Sequence, residues 1–358
     1  MQLEKSQRRI VDASLLRAIV DQFVARPTHP VSDIRQFERL ALGLIDIVDV
    51  ESAAKAARPL CFHPETPEPI FSRLFEKGGA CAALVAEFAP NAPRGDLIAL
   101  AIASDGPLLS AVARRKDLDH EIVDALAQRA EPEALRALAA NWSAHLDQAA
   151  RRALLHAARD DLTLARILLD RDDRAIDPET LFLAATRLER TGIILNACRR
   201  ALSGGLAELC RAEAVFTRRL EGAAVRRDRD AMAALLADAL ECRKERARAV
   251  VSDSQGEALA LALAALGVDP DAATRIFLCA DPAISHDTDR VRSLVALVRS
   301  TPQRAALQIV ASVTGALRGD REAQRRPTRD DALVGGPGWR RAAPRLSAEP
   351  VRKLDQSA

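Results

Sequence analysis

A repeated helix-pair pattern constrains the fold of this chain more than any other feature of the sequence. Each copy has a short apolar helix, a polar turn and a second, amphipathic helix. The clearest copies cover residues 111–126, 137–154 and 166–183. Their anchors Val112, Leu138 and Leu168 lie 26 and 30 residues apart, and a looser copy begins 27 residues earlier at Val85. Because a single apolar stripe cannot be buried alone, the pairs must stack, which predicts an all-α, HEAT-like solenoid.

Residues suited to begin a helix support this interpretation independently of the apolar pattern. Asp119, Asp177 before Pro178, and Thr66 before Pro67 are each predicted to begin a second helix. In the helix after Asp119, four apolar residues share one face and are predicted to be core. They are Ile122, Val123, Ala125 and Leu126.

The composition agrees with a helical fold and argues against a mainly β fold. Aromatic residues make up 3% of the chain and tyrosine is absent, whereas 48% of residues are hydrophobic. The chain can therefore bury a sizeable core.

Four regions follow from the pattern along the chain. We predict extra helices at both ends of the repeats, including one from about Glu257 to Leu266 that Gly267 ends, and one from Pro302 toward Thr314. The regions are an N-terminal helical segment (1–36), HEAT-like repeats (37–200), a C-terminal helical region (201–317) and a disordered Arg/Pro/Gly-rich tail (318–358).

Three stretches carry a family resemblance. They are DLIALAIASDGPLLSAVARRKDLDHEIVDALAQRAEPEALRALAANWSAHL (Asp96 to Leu146), the following LLDRDDRAIDPE, and SDSQGEALALALAALGVD (Ser252 to Asp269). Over roughly Phe37 to Thr314 the chain resembles an alphaproteobacterial family classified only as domain of unknown function 2336, whose members look like HEAT-type helical repeat proteins. The resemblance implies the fold and carries no catalytic residue with it.

The charge distribution separates the tail from the rest of the chain. The net charge is +2, but the residues after Leu317 include ten basic and six acidic ones, so the body is slightly acidic. A domain that grips phosphates along its length is usually basic. We therefore expect nucleic-acid binding to be weak and confined to the tail.

No local motif predicts a reaction, a metal or a cofactor. The nearest clusters are Cys61-Phe62-His63 and the segment from His286 to Asp289, and we interpret them as a buried thiol beside a loop histidine and as a capped turn. A nucleophile elbow, a phosphate loop and a paired-cysteine motif are all missing from the sequence. The N-terminal stretch lacks an apolar signal region, so a cytoplasmic protein without a membrane partner is expected.

The leading hypothesis is a non-enzymatic scaffold or regulator that binds a protein partner through its second helices. The alternative is a HEAT-like protein that binds nucleic acid or processes DNA bases, which requires a basic face with aromatic residues. Against this alternative, we interpret Trp142 as packed in an inter-helix turn. The sequence leaves the partner, the pathway and the oligomeric state open. The predicted partner-binding residues are Asp124, Gln128, Gln148, Arg151, Arg152, Glu179 and Arg187.

Overall fold

The chain is all-helical throughout the part that the structure describes. The computed structural model describes residues 2–171, 173–203 and 211–316 of the 358-residue chain, and no strand occurs within those ranges. The predicted tail, 318–358, lies outside the described residues. None of the described helices is long and apolar enough to cross a membrane.

The first half of the described chain contains eleven α-helices and one 3-10 helix, η1. Their bounds are α1 (Gln2–Val24), α2 (Val31–Ile47), α3 (Val50–Leu60), α4 (Glu68–Lys77), α5 (Gly79–Phe88), α6 (Arg94–Ala103), α7 (Gly106–Ala113), α8 (His120–Arg129), α9 (Pro132–Ala140), α10 (Gln148–Ala158), α11 (Leu162–Asp170) and η1 (Pro178–Ala184).

Nine further α-helices follow η1. Their bounds are α12 (Arg187–Ser203), α13 (Ala214–Val225), α14 (Arg229–Leu240), α15 (Lys244–Val251), α16 (Glu257–Ala265), α17 (Pro270–Ala280), α18 (Pro282–Ser285), α19 (Thr288–Ser300) and α20 (Gln303–Thr314).

Aspartate caps begin many of these helices, because a carboxylate can accept the free backbone N–H groups of a first turn. Asp119 accepts from the Ile122 N–H at 2.9 Å, as predicted. Asp177 also acts as a cap, but the element that follows it is the 3-10 helix η1. The prediction for Thr66 is wrong: its hydroxyl donates to the Leu60 carbonyl, and Pro67 precedes α4.

Helices in the repeat region pack on the next helix but one. The helices α3, α5, α7, α9 and α11 contact one another in succession, and α6, α8 and α10 do the same. The predicted core positions Ile122 and Leu126 are buried, as are the anchors of the aligned copies. The apolar period of the sequence therefore corresponds to real packing.

Polar side chains at helix ends reinforce this packing. Just after α7, Arg115 donates to the carbonyls of Ala86 and Ala89 at the end of α5, at 3.1 and 2.6 Å. Just after α9, Asn141 donates to the carbonyls of Ala113 and Arg115 at 3.0 and 2.6 Å. Arg171, after α11, donates to the carbonyl of Ala139 in the last turn of α9 and to those of Asn141 and Ala144 in the turn after it. These donors satisfy orphan carbonyls at the ends of α5, α7 and α9 and carbonyls of the turns that follow these helices.

The C-terminal region is organised around a buried helix. All nine residues of α16 are buried, and α15, α19 and α20 pack around it. Gly256 precedes α16 with φ +72°, and a Cβ there would lie 2.8 Å from Ile284 Cδ1. Gly267 follows α16 with φ +68°, which confirms the predicted stop.

Candidate protein-binding surfaces

Most of the predicted partner-binding residues lie on two adjacent helices. α8 carries two of them, α10 carries three, and these two helices pack against each other. Asp124 and Arg151 are half-buried. The exposed residues are Gln128, Gln148, Arg152 and, on the more distant α12, Arg187.

Arg151 is occupied by an ion pair. Its Nε lies 2.8 Å from Asp173 Oδ2, and both side chains are at least three-quarters buried. Burial opposes ionisation of Asp173, but the hydrogen bonds from Arg151 and the Ala175 N–H, together with the charges of Arg151 and Arg171, outweigh it and hold the pKa of Asp173 below its usual value. Arg151 therefore links α10 to the chain after α11, and its neighbour Arg152 is the residue that faces solvent.

Glu179 does not belong to an exposed face. Only 1% of its surface is accessible, and its carboxylate accepts from Arg200, from Gln308 Nε2 at 3.3 Å and from Ser312 Oγ at 3.3 Å. Burial, assisted by the charge of Asp177, raises the pKa of Glu179. It joins η1 to α12 and α20, which no sequence period could indicate because these contacts span up to 133 residues.

A groove lies beside the exposed residues of α10. Its volume is about 700 Å³, within the range of sites that hold small ligands or side chains of a partner. The floor is mainly apolar, from Ala127, Leu135, Ala153, Ala157 and Leu164. The polar lining residues are Arg152, His156, Asp160 and Asp161.

The acidic and basic groups of the groove differ in their pairing. Asp160 pairs with Arg246 at 2.8 Å, and Asp161 pairs with Arg136 at 2.7 Å while capping α11. Arg152 and His156 are exposed and have no ion-pair or hydrogen-bond partner in the described part of the chain. The side chains of the groove that form no ion pair are therefore basic ones.

Trp142 contradicts its predicted environment. It lies in the turn after α9, as expected, but 68% of its surface is exposed. Phe62 and Phe88 are also exposed, by 66% and 42%, and their ring centroids lie 5.6 Å apart. The other seven phenylalanines are buried or partly buried. We name Phe62, Phe88 and Trp142 the aromatic ridge.

The aromatic ridge follows one edge of the repeat region. Phe62 comes just after α3, Phe88 is the last residue of α5, and Trp142 comes two residues after α9. The hydrogen bonds from Arg115 and Asn141 hold the ends of α5, α7 and α9 side by side. Sequence reasoning missed this ridge because its residues are 26 and 54 positions apart and belong to no apolar stripe.

Charges along the ridge are mixed. Arg114 pairs with Glu87 at 3.5 Å, and Asp117 pairs with Arg115 at 2.7 Å. Lys116 is exposed and lacks an ionic partner among the described residues. The ridge thus combines large aromatic surface with ion pairs and a spare positive charge.

The two clusters singled out for metal chemistry have structural roles. Cys61 is buried beside the Leu84 carbonyl, and burial raises the pKa of its thiol to about 12. His63 is held by the Arg26 carbonyl at 2.8 Å. Asp287 caps α19, and His286 is exposed. Within the described ranges, no three His, Cys, Asp or Glu side chains are grouped closely enough to hold a metal ion.

Comparison with protein families gives a match to part of the chain. Residues 81–179, which include α8 to α11 and two of the three ridge aromatics, match the family described as "Uncharacterised protein conserved in bacteria (DUF2336)". Searches of curated proteins and of solved structures gave no match. Over residues 81–179 the chain is therefore similar to proteins of the DUF2336 family.

Proposed function

We propose that this chain is a non-enzymatic helical-repeat protein that binds another protein, as a cytoplasmic scaffold or regulator. The aromatic ridge is the observation that carries the proposal. Exposed aromatic side chains are uncommon on surfaces that contact only water, and aromatic residues and arginine are enriched in protein interfaces.

The arrangement of the helices supports a HEAT-like solenoid as the scaffold. Packing of each helix on the next but one, with rows linked through helix-end hydrogen bonds, is what stacked helix pairs require. Such a stack presents more surface than a globular domain of equal length, and ridge and groove both lie on it.

Partner capture from the native host tests this function. Tagged full-length protein is compared with the Trp142→Ala and Phe88→Ala variants, and co-purified proteins are identified by mass spectrometry. A specific partner should be retained by the parent protein and lost with either ridge variant. The matched control is Leu188→Ala, which removes an 83%-exposed apolar side chain elsewhere. Equal capture by ridge and control variants would contradict the proposal.

Nucleic-acid binding is the second candidate. It is favoured by the exposed side chains of Trp142 and Lys116, whose chain neighbours Asn141 and Arg115 are hydrogen-bonded to each other. An exposed indole can stack on a base and a free ammonium can contact phosphate. The ion-paired charges along the ridge and the slightly acidic body favour a protein partner instead.

Fluorescence anisotropy with labelled single-stranded DNA separates the two candidates. For a protein-binding scaffold, DNA binding should be weak, should fall steeply with salt and should disappear in a chain that ends at Leu317. Tight binding that survives this truncation and is lost with Trp142→Ala would establish the nucleic-acid function.

A further inference from the structure

We propose that the groove between α8 and α11 binds an acidic, amphipathic helix of the partner protein. This inference rests on the proposed function and adds a second, chemically defined contact. The groove lies where α9 and α11 begin, whereas the aromatic ridge lies where α3, α5 and α9 end. The two surfaces therefore lie at opposite ends of α9, the helix that they share.

The shape and lining of the groove are suited to bind apolar side chains of a ligand. The turn between α8 and α9 forms one wall, α10 and the start of α11 form the other, and Leu135 and Leu164 lie at the floor. Ala130, which ends α8, lines the groove with a positive φ of 53°. Glycine adopts this left-handed backbone conformation more readily than alanine does. Alanine at position 130 therefore adds a methyl group to the groove at a cost in backbone conformational energy.

The charges of the groove call for carboxylates on the ligand. Both lining aspartates are neutralised by arginines of the protein itself, Asp160 by Arg246 and Asp161 by Arg136. The remaining polar side chains, Arg152 and His156, are exposed and unpaired in the described part of the chain, and the guanidinium of Arg152 carries a positive charge. A ligand with carboxylates beside its apolar side chains complements this arrangement, and a basic ligand does not.

The spacing of the two basic residues calls for a helix. Arg152 and His156 are four residues apart on α10, so they lie on one face about 6 Å apart. Carboxylates at positions i and i+4 of a bound helix have the same spacing. Apolar anchors at i, i+3, i+4 and i+7 then face the floor, which is the usual mode of helix-in-groove recognition.

A pair of peptides of equal length and opposite charge tests the inference by fluorescence anisotropy on the full chain. The probe is a labelled amphipathic helix about 16 residues long with leucine anchors and glutamate elsewhere. Its twin carries lysine in place of glutamate. The parent protein should bind the glutamate peptide saturably and at least about tenfold more tightly than the lysine peptide.

Charge reversal supplies the decisive variant. Arg152→Glu with His156→Glu should invert the preference, so that the lysine peptide binds better. Arg152→Glu alone should shift the preference in the same direction and serves if the double variant loses its helical circular dichroism. The control Arg39→Glu makes the same charge change at an exposed position on α2 and should leave the preference unchanged.

The apolar floor has its own variant. Ala130→Gly removes one methyl group and relieves the positive φ, so it should weaken binding of the glutamate peptide by up to about fourfold without destabilising the fold. Absence of saturable binding, equal affinity for both peptides, or an unchanged preference in the double variant would overturn the inference.

The outcome is distinguishable from failure of the proposed function. If partner capture depends on Trp142 but not on Arg152, the proposed scaffold function is retained and the proposed role of the groove is rejected. Charge-selective peptide binding without ridge-dependent capture keeps the groove and overturns the role of the ridge.

Discussion

The repeat region from α5 to α11 and the C-terminal region from α13 to α20 reach stability in different ways. In the repeat region, side-chain hydrogen bonds between neighbouring repeats mostly join residues 22 to 32 positions apart. In the C-terminal region, α16 is buried along its whole length. A buried ion network links this region to α12, because Arg190 of α12 pairs with Asp253 and Glu257, 63 and 67 positions away.

This difference explains why one region has a visible sequence period and the other has none. A helix that stacks between two similar neighbours needs one apolar stripe. It also needs a side-chain hydrogen-bond donor at a regular sequence distance from the carbonyls of the neighbouring repeat. Both features recur along the chain. A helix buried on every side needs apolar residues all round, so α16 has no stripe to repeat. Local contacts therefore leave a periodic signal, and non-local contacts do not.

Breaking the ion network should have the largest effect on stability. Arg190 is 3% exposed and donates to Asp253 at 2.8 and 3.0 Å. Arg190→Ala leaves the buried Asp253 without its arginine and leaves Glu257 with Arg290 alone, so it should cost about 3 to 5 kcal/mol of unfolding free energy. Urea denaturation measures the loss. Arg187→Ala, an exposed position on the same helix, is the control, and a similar small effect of both changes would show that the network does not hold the region together.

Removing a core anchor of the repeats should have the next largest effect. Ile122 is 2% exposed and packs in the central apolar cluster. Ile122→Ala should lower the unfolding free energy by about 2 to 5 kcal/mol. Native-state hydrogen exchange should show the loss first in α5 to α11. An unchanged denaturation midpoint would refute the alignment of the repeats.

Removing a helix-end donor tests the link between repeats directly. Arg115 is buried and donates to two carbonyls of the preceding repeat, whereas its neighbour Lys116 is exposed. Arg115→Ala should cost about 1.5 to 3 kcal/mol, because buried carbonyls lose a charged donor. Lys116→Ala should stay within about 0.5 kcal/mol. Equal costs by thermal denaturation would argue against the helix-end links.

Acid should weaken the junction between the two regions. Hydrogen bonds from Arg166, opposed by partial burial, lower the pKa of Glu189 from 4.5 to about 2. Because the folded pKa lies below the unfolded one, the stabilisation is complete above about pH 4.5 and is lost as the pH falls toward 2. The stability of Glu189→Gln, measured by denaturation at several pH values, should fall less over this window than that of the parent. Parallel curves would show that the pair contributes nothing.

The smallest expected change concerns the environment of Trp142 and involves no loss of stability. In a Trp339→Phe background, the fluorescence of Trp142 should be red-shifted and readily quenched by acrylamide, because two-thirds of its surface is exposed. A blue-shifted, protected emission would restore the original prediction of a packed side chain. Such a result would also remove Trp142 from the aromatic ridge.

Several structural elements could be predicted from the sequence and are confirmed. The helix from Glu257 ends before Gly267, α20 follows Pro302, and Asp119 caps α8. These signals are local, since a cap or a left-handed glycine acts within one turn. The function of the protein stays a prediction.

The candidate surfaces were less predictable. Arg152 was identified correctly as exposed, but the pairing of Arg151 with Asp173 and the burial of Glu179 were not visible in the sequence. Helical periodicity shows which residues share a face, but it does not show whether an adjacent element covers that face.

The sequence by itself determined that the chain is helical, where many helices begin and end, and which apolar residues form the repeat core. Those properties depend on helix propensity, helix capping and the spacing of apolar residues, which act over a few residues. Tertiary structure alone decided which charges are paired, that Trp142 projects into solvent, and that the ends of α5, α7 and α9 share one edge. These outcomes depend on groups distant in the chain, whose meeting follows from how the helices stack.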